Sequence, residues 1–316
     1  ARRFDPTVSR AASLRMLMEN VREAAGAATF ILGCGAPLGP CVGIVDAMRV
    51  SADTAEHWLP KGPDMPGTRW FFARDRTNLP GARNMVCSTL ARLQMQGILW
   101  VNDPDCLILR DDFSLQEAQA LATVAALSAG SLIFSDSVDE VRTERLAILK
   151  ALLPPLPHPA QHVDLLAPEI PGAVALDLRP KPGAASLGNW SLLALFHWTD
   201  GSCPADLNAP KLVNALSLHA ASAWHMFEFW SGTYTRHEGP LTQFSAGAVP
   251  PRCCRLYAVR PVDPASASVV GSDAHISCGL EVATWRKVEA LTGAHAVEVS
   301  LDAGRALPSP CLWIFL

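Results

Sequence analysis

The chain has 316 residues, enough for two domains of ordinary size. Hydrophobic residues make up 49% and charged residues 18%, which indicates a packed globular protein and not a disordered one. The formal net charge of −4, without a basic stripe, argues against nucleic acid or a membrane as partner, and no apolar run reaches the roughly 18 residues needed to cross a bilayer.

The first half, residues 1–153, alternates helical and strand-like patterns. Helices are predicted over residues 10–25, 82–96, 114–130 and the stretch that ends before Pro154. Strands are predicted over residues 29–34, 43–50, 98–101 and 132–134. The first helix places Leu14, Leu17, Met18, Val21 and Ala25 on one face, and Ser114 and Glu117 have the spacing of a capping box. Alternating strands and helices predict parallel βαβ packing.

A proline-rich linker, residues 154–171, separates this half from a second half with a different hydrophobic pattern. Residues 172–316 contain shorter strand-like runs broken by turns, a pattern typical of an antiparallel β-sandwich. The clearest runs are residues 190–198, 223–230, 255–259, 297–301 and 311–316. We therefore expect two domains joined by the linker, each with its own core.

Each predicted strand of the first half ends at or just before a polar or reactive residue. These residues are Cys34, then Arg49 and Asp53, then Asp103 and Asp105, then Asp136. Singly, each aspartate is better explained as a loop cap. Parallel α/β folds place their sites at the carboxyl ends of strands, so four such ends in succession predict one acidic rim that holds an arginine and a thiol.

The residues at these strand ends resemble the late-barrel motifs of melibiase-type α-galactosidases. The matching runs are Gly33-Cys34-Gly35-Ala36-Pro37-Leu38-Gly39-Pro40, Met48-Arg49-Val50-Ser51-Ala52-Asp53, Trp100-Val101-Asn102-Asp103-Pro104-Asp105-Cys106 and Phe134-Ser135-Asp136. Residues 256–260 and 271–279 resemble the C-terminal β-domain of the same family. The resemblance implies an α/β plus all-β fold: the late strands of a partial (β/α)8 barrel, followed by a C-terminal antiparallel β-sandwich.

By this resemblance, Asp53 is the general acid/base of a retaining glycoside hydrolase that cleaves terminal α-linked galactosides. Cys34, Arg49, Asp105 and Cys106 match positions that line the sugar pocket, and no cofactor or metal is implied. The family's nucleophile lies in a Lys-x-Asp motif one strand earlier. Residues 1–28 contain no such motif, and Asp5 is a poor candidate. We therefore expect a fragment that is inactive and aggregation-prone alone, completed by a missing N-terminal half or by a homo-oligomer.

Several alternatives stay open. The same site could serve α-N-acetylgalactosamine or transfer galactose to another sugar, and a non-catalytic sugar-binding or structural module is the rival from another class.

Retaining hydrolysis needs two carboxyl groups about 5–5.5 Å apart, one of them protonated. A direct pair with Arg49 would oppose protonation of Asp53, so Arg49 is expected to bind sugar hydroxyls or the other carboxylate. Cys34, Arg49, Asp53, Asp105 and Cys106 should converge on one rim, above a wall that contains Trp100 and Phe134.

Other motifs favour structural roles. Gly33-Cys34-Gly35 lacks the spacing of a dinucleotide fingerprint, and the pairs around Cys253 and Cys278 lack a second zinc-ligand pair. The tryptophans of the second half are better explained as core than as a sugar-stacking surface. Nine cysteines, an odd number spread through apolar runs, and an N-terminus without a signal-peptide pattern favour reduced thiols in the cytoplasm.

Overall fold

The computed structural model describes residues 7–62, 76–164, 166, 170–210, 213, 221–263, 267–289, 295–302 and 312–315. Asp5 and Cys311 lie outside these residues. Within them, no helix has both the length and the apolar character to cross a membrane.

Among its described residues, the first half has five α-helices and five short strands. The helices are α1 Arg10–Ala25, α2 Leu38–Cys41, α3 Ala82–Ala91, α4 Leu115–Leu127 and α5 Thr143–Ala151. The strands are β1 Leu32–Gly33, β2 Ala47–Arg49, β3 Val101–Asp103, β4 Cys106–Leu107 and β5 Ile133–Phe134. Strands β1, β2 and β3 form a parallel sheet in that order, while β4 and β5 pair separately, also in parallel. The predicted parallel pairing is confirmed, although the fourth predicted strand is outside the three-stranded sheet.

Helix α1 has its predicted bounds, but its apolar face is not packed. Leu14, Leu17 and Val21 are exposed, and Met18 is partly buried. Two arginines attach the helix instead: Arg22 donates to the carbonyl oxygens of Ile44 and Thr29, and Arg15 donates to that of Val42. The helix is therefore held at its polar side and leaves an apolar stripe facing solvent.

Strand β3 begins three residues later than the sequence predicted. The amide of Gly97, a residue with φ of +72°, donates to the Trp100 carbonyl, and the Leu99 amide donates to that of Met95. These bonds form a turn, so the apolar run 98–100 precedes the strand. The capping box is confirmed, because Ser114 Oγ accepts from the Glu117 amide at 3.2 Å and Glu117 Oε2 accepts from the Ser114 amide at 2.9 Å.

The second half is antiparallel throughout its described strand pairs. Its strands are β6 Gln161–His162, β7 Ala173–Leu178, β8 Trp190–His197, β9 Ala205–Asn208, β10 Ala223–Glu228, β11 Thr233–Glu238, β12 Ser245–Val249, β13 Cys253–Pro261, β14 Ser268–Ser272, β15 Val282–Glu289, β16 His295–Leu301 and β17 Leu312–Phe315. Six of them form one sheet in the order β11-β10-β13-β8-β7-β6. The pairs β9–β12, β14–β17 and β15–β16 are separate ribbons.

The central strands of the six-stranded sheet are buried on both faces, whereas the edge strand β11 is largely exposed. This burial explains why β8 is a continuous apolar run. On one face, Leu193 and Leu195 pack with Phe244 beside the β9–β12 ribbon. On the other, Leu192 and Ala194 belong to a core shared with α4. The Trp230 indole donates to Thr123 Oγ1 of α4 at 3.0 Å. The antiparallel pairing is confirmed for the described strands of this half. The β9–β12 ribbon packs on one face of the six-stranded sheet and helix α4 on the other, and the β-sandwich stays a prediction.

His225 on β10 gives the fold a predicted acid sensitivity. It is fully buried, and burial, with the charges of Arg236 and Arg260, lowers its pKa from 6.5 to about 4. The unfolded chain therefore binds a proton between pH 6.5 and 4 that the native chain does not. We expect the free energy of unfolding to fall by about 3 kcal/mol over this range.

Denaturant titrations at pH 7, 5.5 and 4 measure this loss. The His225→Gln variant should show a smaller decrease with acid than the wild type. Tyr234→Phe removes the hydroxyl that lies 3.0 Å from His225 Nδ1 but keeps the imidazole, so it should retain the wild-type slope. An unchanged slope in His225→Gln would show that other groups cause the acid response.

Candidate active site

The carboxyl ends of β1, β2 and β3 are neighbours because the three strands are adjacent and parallel. Cys34 follows β1, Arg49 ends β2, and Asp103 ends β3. Asp53 lies in the loop after β2, and Asp105 lies between β3 and β4. The fold thus brings the residues from three of the four predicted strand ends to one edge of the sheet.

Arg49 is the centre of this edge. Its Nε lies 3.0 Å from Asp103 Oδ2, and its Nη1 lies 3.1 Å from Asp105 Oδ1. Burial disfavours the guanidinium charge, but the hydrogen bond and charge of Asp103 and the charge of Asp105 outweigh it and raise the pKa of Arg49. The arginine is therefore a permanently charged group fixed by two carboxylates.

Asp103 anchors the arrangement, and its side chain is only 1% exposed. One carboxylate oxygen pairs with Arg49, while the other, Oδ1, accepts from the Asp105 amide at 2.8 Å. Asp105 has a φ of +76°, a left-handed conformation that is uncommon for a residue with a side chain. The Asp103 carboxylate thus holds both the arginine and the strained turn that orients Asp105.

Asp105 ties the β3 loop to the β2 loop. Its Oδ2 accepts from the Thr54 amide at 2.6 Å, and its side chain is 12% exposed. Ser51 Oγ donates to the Pro104 carbonyl at 2.9 Å, which joins the same two loops. Both oxygens of Asp105 therefore already have protein partners, and a sugar hydroxyl would share them.

Asp53 differs from the other two carboxylates because it is 72% exposed. Its Oδ1 lies 3.4 Å from Arg49 Nη1, the same nitrogen that pairs with Asp105. The sequence predicted that Arg49 would bind another carboxylate and not Asp53. Arg49 does bind Asp103 and Asp105, but it also contacts Asp53, because the β2 loop returns past the guanidinium within four residues.

The two thiols lie on either side of this cluster. Cys34 is exposed, and its charge would act on Arg49, whose pKa it helps to raise. Cys106 is partly buried, and burial raises the pKa of its thiol, as do the charges of Asp105 and Asp136. Cys34 is thus near Arg49, and Cys106 lies between Asp105 and Asp136.

Asp136, at the fourth predicted strand end, has the role of a loop cap. Its Oδ2 accepts from the amides of Leu109 and Arg110 at 2.7 and 3.2 Å. The expected common wall is also divided, because Trp100 packs in the core below β1–β3 whereas Phe134 packs against the large core around α4. The site is thus an Arg49-centred cluster with Asp136 beside it, and not a ring of four equivalent strand ends.

Sequence reasoning missed two contributors, the Thr54 amide and the anchoring role of Asp103. The sequence placed Asp103 at the end of a predicted strand and two residues before Asp105, but neither position reveals which carboxylate is buried. Among the described residues, no three His, Cys, Asp or Glu side chains are grouped as metal ligands.

Comparison with known proteins gives the fold relationship. No family model matches the sequence. The structure is similar to α-galactosidase I from Mortierella vinacea, with a TM-score of 0.56 and 14% identity, over 79% of this chain and 63% of that one. It is also similar to a GH27 β-L-arabinopyranosidase from Geobacillus stearothermophilus in complex with arabinose, with a TM-score of 0.51 and 13% identity, over 81% of this chain and 56% of that one. The resemblance to α-galactosidases is confirmed for the fold, and the chain spans less than two thirds of either structure.

Proposed function

We propose that this chain is the C-terminal part of a retaining glycoside hydrolase that cleaves terminal α-linked galactosides. The observation that carries the proposal is the cluster at the ends of β1–β3: Arg49 is fixed by Asp103 and Asp105, and Asp53 stands exposed beside it. The fold similarity to an α-galactosidase supports the same proposal. In this proposal, β1, β2 and β3 are late strands of a (β/α)8 barrel.

Each residue of the cluster has a role suited to its surroundings. Asp53, the exposed carboxyl group, protonates the leaving oxygen and later activates water. Arg49 and Asp105 bind sugar hydroxyls, since a fixed guanidinium donates and a carboxylate accepts. Cys34 and Cys106 line the same pocket and shape its sides. Asp103 does not reach the sugar and acts through Arg49 and Asp105.

Retention also needs a nucleophilic carboxylate about 5–5.5 Å from the acid/base. In the cluster, Asp103 is buried and both Asp105 oxygens are engaged, so neither is free to attack an anomeric carbon. We propose that the nucleophile comes from outside this chain, on an N-terminal half that adds the earlier strands or on another subunit. The exposed stripe of α1 and the edge of β1 that pairs with no strand in the described part of the chain are suitable surfaces for that addition.

Turnover of an aryl α-galactoside tests this division of roles. The chain alone should show no hydrolysis, because the glycosyl-enzyme intermediate cannot form. Co-expression with an upstream segment that carries a Lys-x-Asp strand should restore turnover, and Asp53→Asn should then reduce hydrolysis of raffinose, a natural α-galactoside, far more than that of the aryl substrate. An aryl β-L-arabinopyranoside and an α-N-acetylgalactosaminide belong in the same assay, since the second similar structure is an arabinopyranosidase.

Two outcomes would contradict the proposal. Robust hydrolysis by the isolated chain, lost in Asp53→Asn, would place a nucleophile within residues 1–316, with Asp5 and Asp136 as the first candidates. Binding of galactosides without any turnover in the completed assembly would favour a non-catalytic sugar-binding module.

A further inference from the structure

A second cavity, of about 780 Å³, lies where the proline-rich segment after α5 meets the β7–β8 end of the six-stranded sheet. It shares no residue with the Arg49 cluster. Pro154, Pro155, Pro157 and Leu280 supply its apolar surface, and the buried side chains of Leu178 and Trp190 lie beneath that surface. This volume is in the range of cavities that enclose small-molecule ligands.

The inner wall of the cavity is preformed. Trp190 is fully buried, its indole donates to the Ser277 carbonyl at 2.8 Å, and the Arg260 guanidinium lies 4.2 Å from its ring centroid. His275 is fixed through both ring nitrogens, at 2.7 Å from Ser277 Oγ and 2.8 Å from the Pro154 carbonyl oxygen. These contacts connect the proline-rich wall to the sheet, so a ligand would meet a rigid surface.

Both hydrogen-bond donors and hydrogen-bond acceptors surround this apolar surface. Asp177 accepts from the Ser191 hydroxyl, and Lys181 pairs with Asp302. Arg179 and Asn189 are exposed, and neither side chain has a hydrogen bond or ion pair with any residue that the structure describes. The cavity therefore offers carboxylate acceptors, cationic donors and an amide that can do both.

We propose that this cavity binds a neutral carbohydrate, with Arg179 and Asn189 as principal hydrogen-bonding residues. Each sugar hydroxyl both donates and accepts, so it needs the mixed lining seen here, and the C–H face of a sugar ring suits the apolar wall. Asp177 and Asp302 balance the cations, which disfavours a ligand with several negative charges such as a phosphorylated sugar. A wholly apolar ligand would leave these polar groups desolvated and unpaired.

Isothermal titration of the 316-residue chain with raffinose tests the proposal. The double variant Arg179→Ala/Asn189→Ala should weaken binding by about 10-fold, the loss expected from two hydrogen-bonding groups. The matched control is Arg286→Ala/Asn208→Ala, which removes the same two residue types from exposed strand positions outside the cavity. It should leave raffinose affinity unchanged, and both variants should keep the wild-type unfolding midpoint.

Equal raffinose affinity in the wild type and the cavity variant would overturn the proposal, since any binding would then occur elsewhere. Galacturonate binding at least about 10-fold more tightly than raffinose, with loss in Arg179→Ala, would overturn the neutral class and assign the cavity to carboxylate ligands. The result does not depend on the proposed hydrolase activity: titration requires no turnover, and Arg179→Ala/Asn189→Ala leaves the Arg49 cluster unchanged, so any binding at that cluster persists in the variant.

Discussion

Replacing Asp53 with alanine should slow hydrolysis of natural α-galactosides by about 10²–10⁴-fold in the completed enzyme. The natural leaving group departs as a poorly stabilised alkoxide unless an acid protonates it. Asp53 is the exposed carboxyl group of the Arg49 cluster and the one free to reach such an oxygen. An aryl α-galactoside has a leaving group that needs little protonation, so its rate of glycosidic cleavage should fall much less.

The comparison of the two substrates distinguishes an acid/base from a residue that shapes the site. Asp139→Ala removes another exposed aspartate and should leave both rates unchanged. Because Asp53 is exposed, its removal should also leave the unfolding midpoint close to that of the wild type. Equal losses for the natural and the aryl substrate would count against proton transfer by Asp53 and would assign it a binding role.

Local sequence signals predicted the elements whose stability is decided locally. The capping box at Ser114 and the bounds of α1 are examples, since both depend on residues within one or two turns. Val86 and Leu90 of α3, four residues apart on one helical face, are both fully buried. Strand β3 begins later than predicted, because the apolar residues 98–100 that the pattern assigned to it lie in a turn after Gly97.

Long-range packing could not be predicted in the same way. The apolar runs of β8 and β10 indicated buried strands, but sequence does not say what covers each face. Helix α4 packs on the six-stranded sheet, so one hydrophobic core contains residues from both halves. The division into domains at residues 154–171 stays a prediction, and the shared core means that a test of it must compare the halves with the whole chain.

The candidate site was predicted to the extent that it depends on strand order. Parallel pairing of β1, β2 and β3 brings Arg49, Asp53 and Asp105 together, as the strand-end pattern indicated. The pattern gave no way to rank the aspartates by burial. Asp103 is a residue of strand β3 itself and is buried there, whereas Asp53 lies in a loop four residues after the end of β2 and is exposed.

This ranking leads to the prediction with the largest effect on stability, for Asp103→Asn. The substitution should lower the free energy of unfolding by about 3 kcal/mol, because it removes one partner of a buried ion pair and leaves the other charge undercompensated. The asparagine oxygen can still accept from the Asp105 amide, but its amino group then faces Arg49, so that donors oppose donors. Binding of sugar by Arg49 and Asp105 should weaken as well.

Denaturant unfolding of Asp103→Asn, Arg49→Met and the double variant separates this pair from its surroundings. The double variant should be more stable than the sum of the single losses predicts, because Arg49→Met removes the charge that Asp103→Asn leaves unpaired. Asp46→Asn is the matched control: Asp46 lies 2.6 Å from Arg22, but the pair is more exposed and its loss should be smaller. Additive losses at Asp103 and Arg49 would mean that the two residues stabilise the fold independently, and that Asp103 does not hold Arg49 in place.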